Sequence, residues 1–377
     1  MRGDTVISRP PRLLRCFCNI VGAILFSHRS KNTETVDALR QQNFSHGLSQ
    51  ALAANADEFN HRIWIVDNSG SMQIGDGHKI VTTSDRKVVA QPVSRWEEIQ
   101  DTVLYHCDMA VLMNSPTYFK LLNHPGPGVG KQEFGVCEPG RNVAQDMRQA
   151  RTIMKRARPI GTTPLASHIW SVHHSLRRVA PRLRREGKRV VLVIATDGLP
   201  TDDEGFAGDD VDEDFLSALR SLEGLPIWLV IRLCTDEVKV TNFYNKLDSI
   251  INLPLEVLDD FMSEAREVNR HNKWLNYSLP MHRCRELGYH NRVFDFLDER
   301  PLTKGELTSF CSILFGSPME EIPDPYADWK GFLQYIQSRL VHEDESWDPM
   351  RKKNGPWIYI RTLHKIYGKG EKKCAIM

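Results

Sequence analysis

Residues 63–72 read Ile-Trp-Ile-Val-Asp-Asn-Ser-Gly-Ser-Met, an apolar run that ends abruptly in polar side chains. A short, continuous apolar run is typical of a strand buried on both faces of a parallel sheet. One carboxylate and two hydroxyls follow at alternate positions, Asp67, Ser69 and Ser71. Alternate spacing on a loop just past a strand can direct three oxygens to one point. This stretch therefore predicts a central strand with a cluster of oxygens at its end.

Two later stretches have the same character. Residues 161–165 read Gly-Thr-Thr-Pro-Leu and place hydroxyls on a second turn. Residues 190–195 form another apolar run, and Thr-Asp-Gly follows it at 196–198. Two predicted strands therefore each end in an aspartate with hydroxyls nearby. Oxygen ligands with few formal charges suit a hard divalent cation, such as Mg²⁺, that keeps some of its waters.

Together these residues resemble the metal-ion-dependent adhesion site of the von Willebrand factor A domain family. The family pattern is D-x-S-x-S, then a distant Thr in a G-x-T-P-L turn and a distant Asp in a T-D-G turn. All five positions match here, at Asp67, Ser69, Ser71, Thr163 and Asp197. The alternative is that Asp67 and Ser69 merely cap a helix or turn, which explains only the first of the three pieces.

The resemblance implies how such a site works. Ser69, Ser71 and Thr163 would bind Mg²⁺ or Mn²⁺ directly, while Asp67 and Asp197 would supply the balancing charge directly or through water. Few carboxylates leave the metal electrophilic, so a protein partner would complete its coordination with an Asp or Glu.

The order of predicted elements indicates the fold class. Strands and helices alternate from residue 62 to 258, which predicts an α/β fold with a doubly wound, mainly parallel sheet of the von Willebrand A or Rossmann-like kind. In such sheets ligands bind beyond the carboxyl ends of the strands, where the strand order reverses. A β-hairpin at residues 79–90 is expected to extend the sheet edge. Ser94 and Glu97 predict a capping box at the start of the next helix.

The order of apolar, helical and basic segments also predicts the domain organisation. We expect a disordered or interfacial arm at 1–32, an N-terminal helix at 33–59, the A domain at 60–260, a helical extension without a recognised motif at 261–345, and a basic tail with a prenylation motif at 346–377.

The last residues, 374–377, read Cys-Ala-Ile-Met and match the C-a-a-X pattern, with the final Met favouring a farnesyl group on Cys374. One lipid chain binds a membrane weakly, so a second attraction is usual. Nearby lysines would contact an anionic membrane surface; they are Lys365, Lys369, Lys372 and Lys373. These features predict a peripheral, lipid-anchored protein on the cytoplasmic face of a membrane. A chance C-terminal cysteine is the alternative.

The N-terminal arginines precede an apolar run at residues 16–26, which is similar to a signal peptide or a mitochondrial presequence. The run is too short to span a bilayer. We favour an interfacial arm with Cys16 and Cys18 as candidate palmitoylation sites; an N-terminus without a role is the alternative.

Composition limits the remaining choices. A net charge of +1 gives no overall attraction to nucleic acid. The eight cysteines include no C-x-x-C pair, which argues against a structural zinc site and favours free thiols in a reducing compartment.

Known catalytic patterns are missing from the predicted site. A phosphotransferase of similar fold would carry D-x-D after the first strand, but position 69 is Ser, which removes the usual general acid. The Asp67 loop is not a G-x-S-x-G elbow, and Walker and dinucleotide motifs are absent from the sequence. We therefore predict a non-enzymatic, intracellular, membrane-tethered module that binds a protein ligand through its metal. The alternative is a regulatory scaffold or adaptor subunit of a larger enzyme complex, such as a ubiquitin ligase assembly, in which the metal is structural.

Overall fold

The computed structural model describes residues 28–85 and 87–368. Its strands are β1 (Phe59–Val66), β2 (Gly77–Thr82), β3 (Val88–Val93), β4 (Thr117–Leu121), β5 (Glu133–Val136), β6 (Arg189–Thr196), β7 (Ile227–Leu233), β8 (Leu255–Leu258), β9 (Ser346–Asp348) and β10 (Lys353–Gly355). Its α-helices are α1 (His28–Arg40), α2 (His46–Glu58), α3 (Arg95–Leu112), α4 (Val143–Arg156), α5 (Leu165–Arg185), α6 (Asp209–Arg220), α7 (Val238–Asn245), α8 (Leu247–Ile250), α9 (Phe261–His271), α10 (Leu279–Glu286), α11 (Arg292–Glu299), α12 (Lys304–Phe315), α13 (Trp329–Leu340) and α14 (Ile360–Tyr367).

Six strands form the central sheet, in the order β5-β4-β1-β6-β7-β8. Neighbouring strands are parallel except for β4 and β5, which are antiparallel. Helices pack on both faces, as the alternation of side chains along β1 illustrates. Trp64 and Val66 share a core with α3 and α4, whereas Ile65 shares one with α5 and α6. The predicted α/β fold with a doubly wound, mainly parallel sheet is confirmed.

The helix that follows the β2–β3 hairpin begins where the sequence predicts. The Ser94 hydroxyl accepts a hydrogen bond from the Glu97 backbone N–H at 3.2 Å, and the Glu97 carboxylate accepts one from the Ser94 N–H at 3.0 Å. This reciprocal capping box satisfies two backbone donors at the start of α3.

The prediction about the sheet edge needs correction. The β2–β3 hairpin does not extend the central sheet but forms a separate two-stranded sheet. Its side chains Ile80, Val88 and Ala90 pack instead against the core of the helical extension. The sheet edge is occupied by β5, which follows a Gly- and Pro-rich loop and is too short to show a clear periodicity.

The single helix expected at 33–59 is two helices, α1 and α2. The chain turns at Asn43, whose φ of 64° is incompatible with a continuing right-handed helix. Ser45 then caps α2, because its hydroxyl accepts a hydrogen bond from the Leu48 N–H at 3.3 Å.

Helices α9 to α14 do not stand apart from the rest of the chain. They share a hydrophobic core with α1, α2 and the end of α3, in which Leu48, Met109 and Trp357 are buried together. Residues 346–368, expected as part of a basic tail, are folded into this core as the hairpin β9–β10 and α14. In the described part of the chain, no helix is long and apolar enough to cross a membrane.

The segment after α10 lies directly on the central sheet. Arg62 of β1 donates from Nε to the Leu287 carbonyl at 3.1 Å, and the ring of His290 lies 4.0 Å from that of Trp228 on β7. Gly288 makes this approach possible, because its φ is +86° and a Cβ there would lie 2.5 Å from the Val191 side chain. The extension therefore supplies part of the helical layer that covers the sheet.

Buried His168 on α5 leads to a prediction about acid stability. Its Nε2 lies 3.0 Å from the Leu122 carbonyl oxygen, and burial together with nearby Lys120 lowers its pKa to about 4. The unfolded chain therefore binds a proton at higher pH than the folded one, so His168 lowers stability as the pH falls from about 6.5 toward 4. Within that window, we expect the free energy of unfolding of His168→Gln, relative to that of wild type, to rise by about 1.4 kcal/mol for each unit by which the pH falls.

Urea unfolding of both proteins over this pH range measures the effect. Partly buried carboxylates such as Asp259, whose pKa is raised to about 7 chiefly by burial, act in the opposite direction. The difference between two chains that share those carboxylates isolates the histidine. Parallel pH profiles for the two proteins would contradict the prediction.

Candidate metal centre

The candidate centre lies at the point where the strand order reverses. In the sheet, β1 pairs with β4 on one side and with β6 on the other. Val66 and Ala195 are paired across β1 and β6, and the Asp67 N–H donates to the Ala195 carbonyl at 2.8 Å. Asp67 and Asp197 therefore emerge side by side from two adjacent parallel strands, in the crevice where ligands bind to sheets of this kind.

Four of the five predicted ligand residues are joined by short hydrogen bonds. The Ser69 N–H donates to Asp67 Oδ1 at 2.8 Å. The Ser69 and Ser71 hydroxyl oxygens are 3.0 Å apart, and the Ser71 hydroxyl donates to Asp197 Oδ1 at 2.8 Å. The other oxygen of Asp67 accepts from the Thr196 hydroxyl at 2.7 Å. The alternately spaced residues after β1 thus direct their oxygens to the end of β6.

Thr163 reaches the same place from the turn before α5. Its N–H donates to the Thr201 hydroxyl at 2.9 Å, and its carbonyl accepts from the Thr201 N–H at 3.0 Å. A Cβ on Gly198 would lie 3.9 Å from the Thr163 hydroxyl oxygen, so this hydroxyl faces the residue after Asp197. The hydroxyl of adjacent Thr162 lies 3.5 Å from the Asp203 carbonyl instead.

Backbone hydrogen bonds hold the loops of the centre together. The Ile160 N–H donates to the Asn68 carbonyl at 2.8 Å, and the Gly70 N–H to the Gly161 carbonyl at 3.2 Å. Asn123, after β4, donates from its side chain to the Thr162 carbonyl at 2.8 Å. Gly161 is required in this turn, because its φ is +105° and a Cβ would lie 2.3 Å from the Asn123 side chain. The loops are fixed by contacts that do not involve the predicted ligand oxygens.

The two aspartates are buried close to each other, which is unfavourable when both are ionised. Burial and the neighbouring Asp197 raise the pKa of Asp67 to about 6, although Ser69 and Thr196 donate hydrogen bonds to it. Burial also raises the pKa of Asp197. A divalent cation bound to this pair would offset both the desolvation and the repulsion.

Arg95 is a charged partner of the centre that sequence reasoning missed. Its side chain is 2% exposed, and Nη1 donates to Asp197 Oδ2 at 3.0 Å. Its other donors bind both oxygens of Asp76 at 2.7 Å and Glu237 at 3.1 Å. Arg95 thus binds Oδ2 of Asp197, while Oδ1 accepts the hydrogen bond from Ser71. A sequence clue was present, because a cation in the first turn of a helix is unfavourable and needs a compensating role.

Replacing Arg95 tests this arrangement. We expect Arg95→Met, without metal, to lose about 2–4 kcal/mol of unfolding free energy, because buried Asp197 loses its cation. Mg²⁺ should then stabilise the variant more than the wild type, since the metal becomes the main positive charge near Asp197. Urea unfolding with EDTA and with excess MgCl₂ measures both quantities.

Arg220→Met is the matched control, because Arg220 and its carboxylate partner, Glu213, are both exposed. It should cost at most about 1 kcal/mol and leave the Mg²⁺ effect unchanged. Equal Mg²⁺ stabilisation of Arg95→Met and wild type would show that Arg95 does not act on the centre.

An acidic surface adjoins the centre. The Asp203 carbonyl contacts Thr162, and the loop continues into α6, whose first turn carries Asp209, Asp210 and Asp212. Negative charge at the mouth of a crevice raises the local concentration of cations.

The donor set fits a hard divalent cation. Within the described ranges, no group of three or more His, Cys, Asp or Glu side chains could hold a metal ion. The candidate centre contains only two such residues, so hydroxyl oxygens must supply its other donors. This composition suits Mg²⁺ or Mn²⁺ better than Zn²⁺, which favours nitrogen and sulfur ligands.

The other predicted sites are separate from the centre. Lys365 lies on α14 and is exposed. Cys16, Cys18, Cys374, Lys369, Lys372 and Lys373 lie outside the described residues. Their lipidation and membrane contacts stay predictions.

The chain matches no family model, and no curated protein is significantly similar to it.

Proposed function

We propose that the chain contains a von Willebrand factor A domain that binds Mg²⁺ or Mn²⁺ and captures a protein ligand through that metal. Asp67, Ser69, Ser71, Thr163 and Asp197 would hold the ion. When bound, the metal would supply an electrophilic coordination position for a carboxylate of the partner.

The observation that carries the proposal is the hydrogen-bonded series of oxygens between two buried aspartates. Burial raises the pKa of Asp67 and of Asp197. The hydroxyls of Ser69 and Ser71 lie within hydrogen-bond distance of each other, and that of Ser71 donates to Asp197. Stability alone does not favour such a pair in the crevice, because its charges are desolvated and repel each other. A bound cation would offset the repulsion between the two carboxylates and their desolvation.

The position of the centre suits a macromolecular partner. Ser71 is partly exposed and Gly70 is exposed, whereas Asp67 and Asp197 are buried. A carboxylate would therefore approach from the side of the hydroxyls. Because the acidic loop around Asp203 borders this approach, the partner's carboxylate would need basic neighbours to offset repulsion.

The hydrogen bonds of the serines favour binding over catalysis. The hydroxyl of Ser71 donates to Asp197 and that of Ser69 contacts Ser71, so neither is paired with a histidine base. Activation of a serine nucleophile needs such a base within hydrogen-bond distance. We therefore propose a binding module and not an enzyme.

A regulatory scaffold or adaptor is the second candidate, and the Arg95 ion pairs favour it. Arg95 already supplies positive charge to Asp197 without any metal. In a scaffold the metal would only fix the loops, and partners would bind elsewhere, including on the helices of the extension.

A pull-down from cell extract separates the two candidates. Wild-type protein with Mg²⁺ would be compared with wild type in EDTA, with Asp67→Ala and with Asp203→Ala, an exposed acidic control outside the ligand set. Metal-bridged capture predicts partners that are lost in EDTA and with Asp67→Ala but kept with Asp203→Ala. Partners that persist in all four samples would overturn metal-bridged capture and favour the scaffold.

A further inference from the structure

The end of the described chain is strongly basic. Residues 349–368 contain no Asp or Glu. Their lysines and arginines, all exposed, define the C-terminal basic face: Arg351, Lys352, Lys353, Arg361 and Lys365. The net charge of the whole chain is only +1, so this face is a local concentration of charge.

Arg351 and Arg361 of this face meet at one groove, although they come from two elements. The Arg351 guanidinium lies over the Tyr359 ring, 3.3 Å from its centroid, and the Tyr359 hydroxyl donates to Asp348 Oδ2 at 2.7 Å. Arg351, Tyr359 and Arg361 also line one groove of about 500 Å³. Asp348, the nearest acid in the hairpin, is buried and pairs with Arg351 at 3.5 Å, so it offsets the charge of Arg351, whereas Lys352, Lys353, Arg361 and Lys365 are exposed.

Helix α14 is held firmly behind the face. Leu363 is fully buried, the Trp329 indole donates to His364 Nδ1 at 2.9 Å, and the Tyr367 hydroxyl donates to the Leu302 carbonyl at 2.7 Å. The outer side of α14 is left to Arg361, Lys365 and the exposed Ile366. Its charges are therefore presented by a rigid element.

Exposed aliphatic side chains accompany the charges. Ile366 is 43% exposed, and Val341, which lines the groove beside Arg351 and Arg361, is 73% exposed. Cations interleaved with aliphatic groups are typical of surfaces that lie in the headgroup region of a bilayer. Two acids line the same groove: Glu343 is paired with Arg40 on the side of the protein body, whereas Glu345 is exposed and contributes negative charge to the groove.

The chain has a second basic surface, on the exposed side of α5. Three of its five arginines are engaged with their own surroundings: Arg178 donates to the His174 carbonyl at 3.3 Å, Arg182 pairs with Glu186 at 2.9 Å, and Arg184 donates to the Gly224 carbonyl. The C-terminal basic face lacks acids along its own stretch of chain and is the better match to a continuous anionic surface.

We propose that the C-terminal basic face lies against a bilayer of anionic phospholipid. The inference goes beyond metal-dependent capture and rests on the described residues alone. A folded face that docks would fix the orientation of the body on the membrane, which a flexible attachment does not.

The test is co-sedimentation of the full chain, produced without lipid modification and kept in EDTA, with phospholipid vesicles. Phosphatidylcholine vesicles are compared with vesicles that also contain phosphatidylserine. The face variant is Lys353→Glu, Arg361→Glu and Lys365→Glu. The matched control carries three reversals on α5 and has the same net charge: Arg177→Glu, Arg178→Glu and Arg185→Glu. Thermal unfolding of both variants checks that they are folded.

We expect wild type to bind only the phosphatidylserine vesicles, the face variant to bind them at least about tenfold more weakly, and the control to bind like wild type. The proposal is overturned if wild type binds both kinds of vesicle equally, or if both variants lose binding to the same extent. It is also overturned if only the control variant loses binding, because that result would assign the membrane contact to α5. Because the assay contains no metal and the protein carries no lipid anchor, a negative result would leave the proposed metal centre untouched.

Discussion

Asp67→Ala is expected to weaken Mg²⁺ binding by at least about 100-fold. Asp67 is fully buried and is one of the two predicted carboxylate ligands, so its removal takes away half of the formal negative charge of the proposed ligand set. Titration calorimetry of the two proteins with MgCl₂ measures the effect. Because a ligand that binds only the folded state stabilises it, the Mg²⁺-dependent rise in melting temperature should also disappear.

The pH dependence gives an independent check on wild type. The pKa of Asp67 is raised to about 6 by burial and by Asp197, so its folded pKa lies above the unfolded value of 3.8. The folded protein without metal therefore binds more protons than the unfolded chain, and the contribution of Asp67 to stability falls as the pH rises toward 6. A proton and Mg²⁺ compete for this carboxylate, so Mg²⁺ should stabilise the protein more at about pH 7.5 than at about pH 5.

Asp203→Ala is the matched control for this substitution. It removes one acid from the exposed loop beside the centre and should change the Mg²⁺ affinity by less than about threefold. If Asp67→Ala and Asp203→Ala reduce the affinity equally, the cation is attracted by the general negative charge of the surface and not by the proposed ligands.

Glu286→Ala is expected to lower the free energy of unfolding by about 3–5 kcal/mol. Glu286 is fully buried at the end of α10; its Oε2 accepts from Arg283 at 2.6 Å and lies 3.0 Å from His106 Nε2. Its Oε1 lies 3.5 Å from Arg232 of β7. Burial raises the pKa of Glu286, but Arg283 and the hydrogen bonds from His106 and His282 outweigh burial and hold that pKa well below the usual range. Removing the carboxylate takes an acceptor from buried Arg283 and His106 and leaves Arg232 with Glu98 as its remaining ion-pair partner.

Urea unfolding measures the loss, and two further variants define its cause. Glu286→Gln keeps the volume and some hydrogen bonds, so its loss should be intermediate. Glu320→Ala removes an exposed glutamate and should cost less than about 0.5 kcal/mol. A cost below about 1 kcal/mol for Glu286→Ala would show that this network does not hold the extension on α3 and β7.

The candidate centre was predictable from the sequence because its residues follow local patterns. Apolar runs predict β1 and β6, and Asp67 and Asp197 come directly after them. Parallel strands that are neighbours place their carboxyl ends together, so two strand-end aspartates were expected to meet. Thr163 depended on the resemblance, since a turn of Gly, Thr and Pro has no periodicity that could place it.

Arg95 and α14 were not predicted, for different reasons. The capping pattern at Ser94 and Glu97 says nothing about Arg95, whose ion pair with Asp197 spans 102 positions of the chain. Residues 360–367 were interpreted as part of a basic tail, because a helix of two turns shows little periodicity among Lys and Arg residues. Leu363 and Trp357 are buried only because the core of the extension receives them.

The sequence by itself determined the α/β class, the strands that end in Asp67 and Asp197, and the cap that begins α3. Hydrophobic periodicity and capping act within a few residues, so a short window contains them. Only the tertiary structure decided that the extension packs on the sheet through Glu286, that Arg95 neutralises Asp197, and that the hairpin and α14 form one basic face. These features depend on side chains distant in the chain, whose pairing free energy arises only once burial has removed their water.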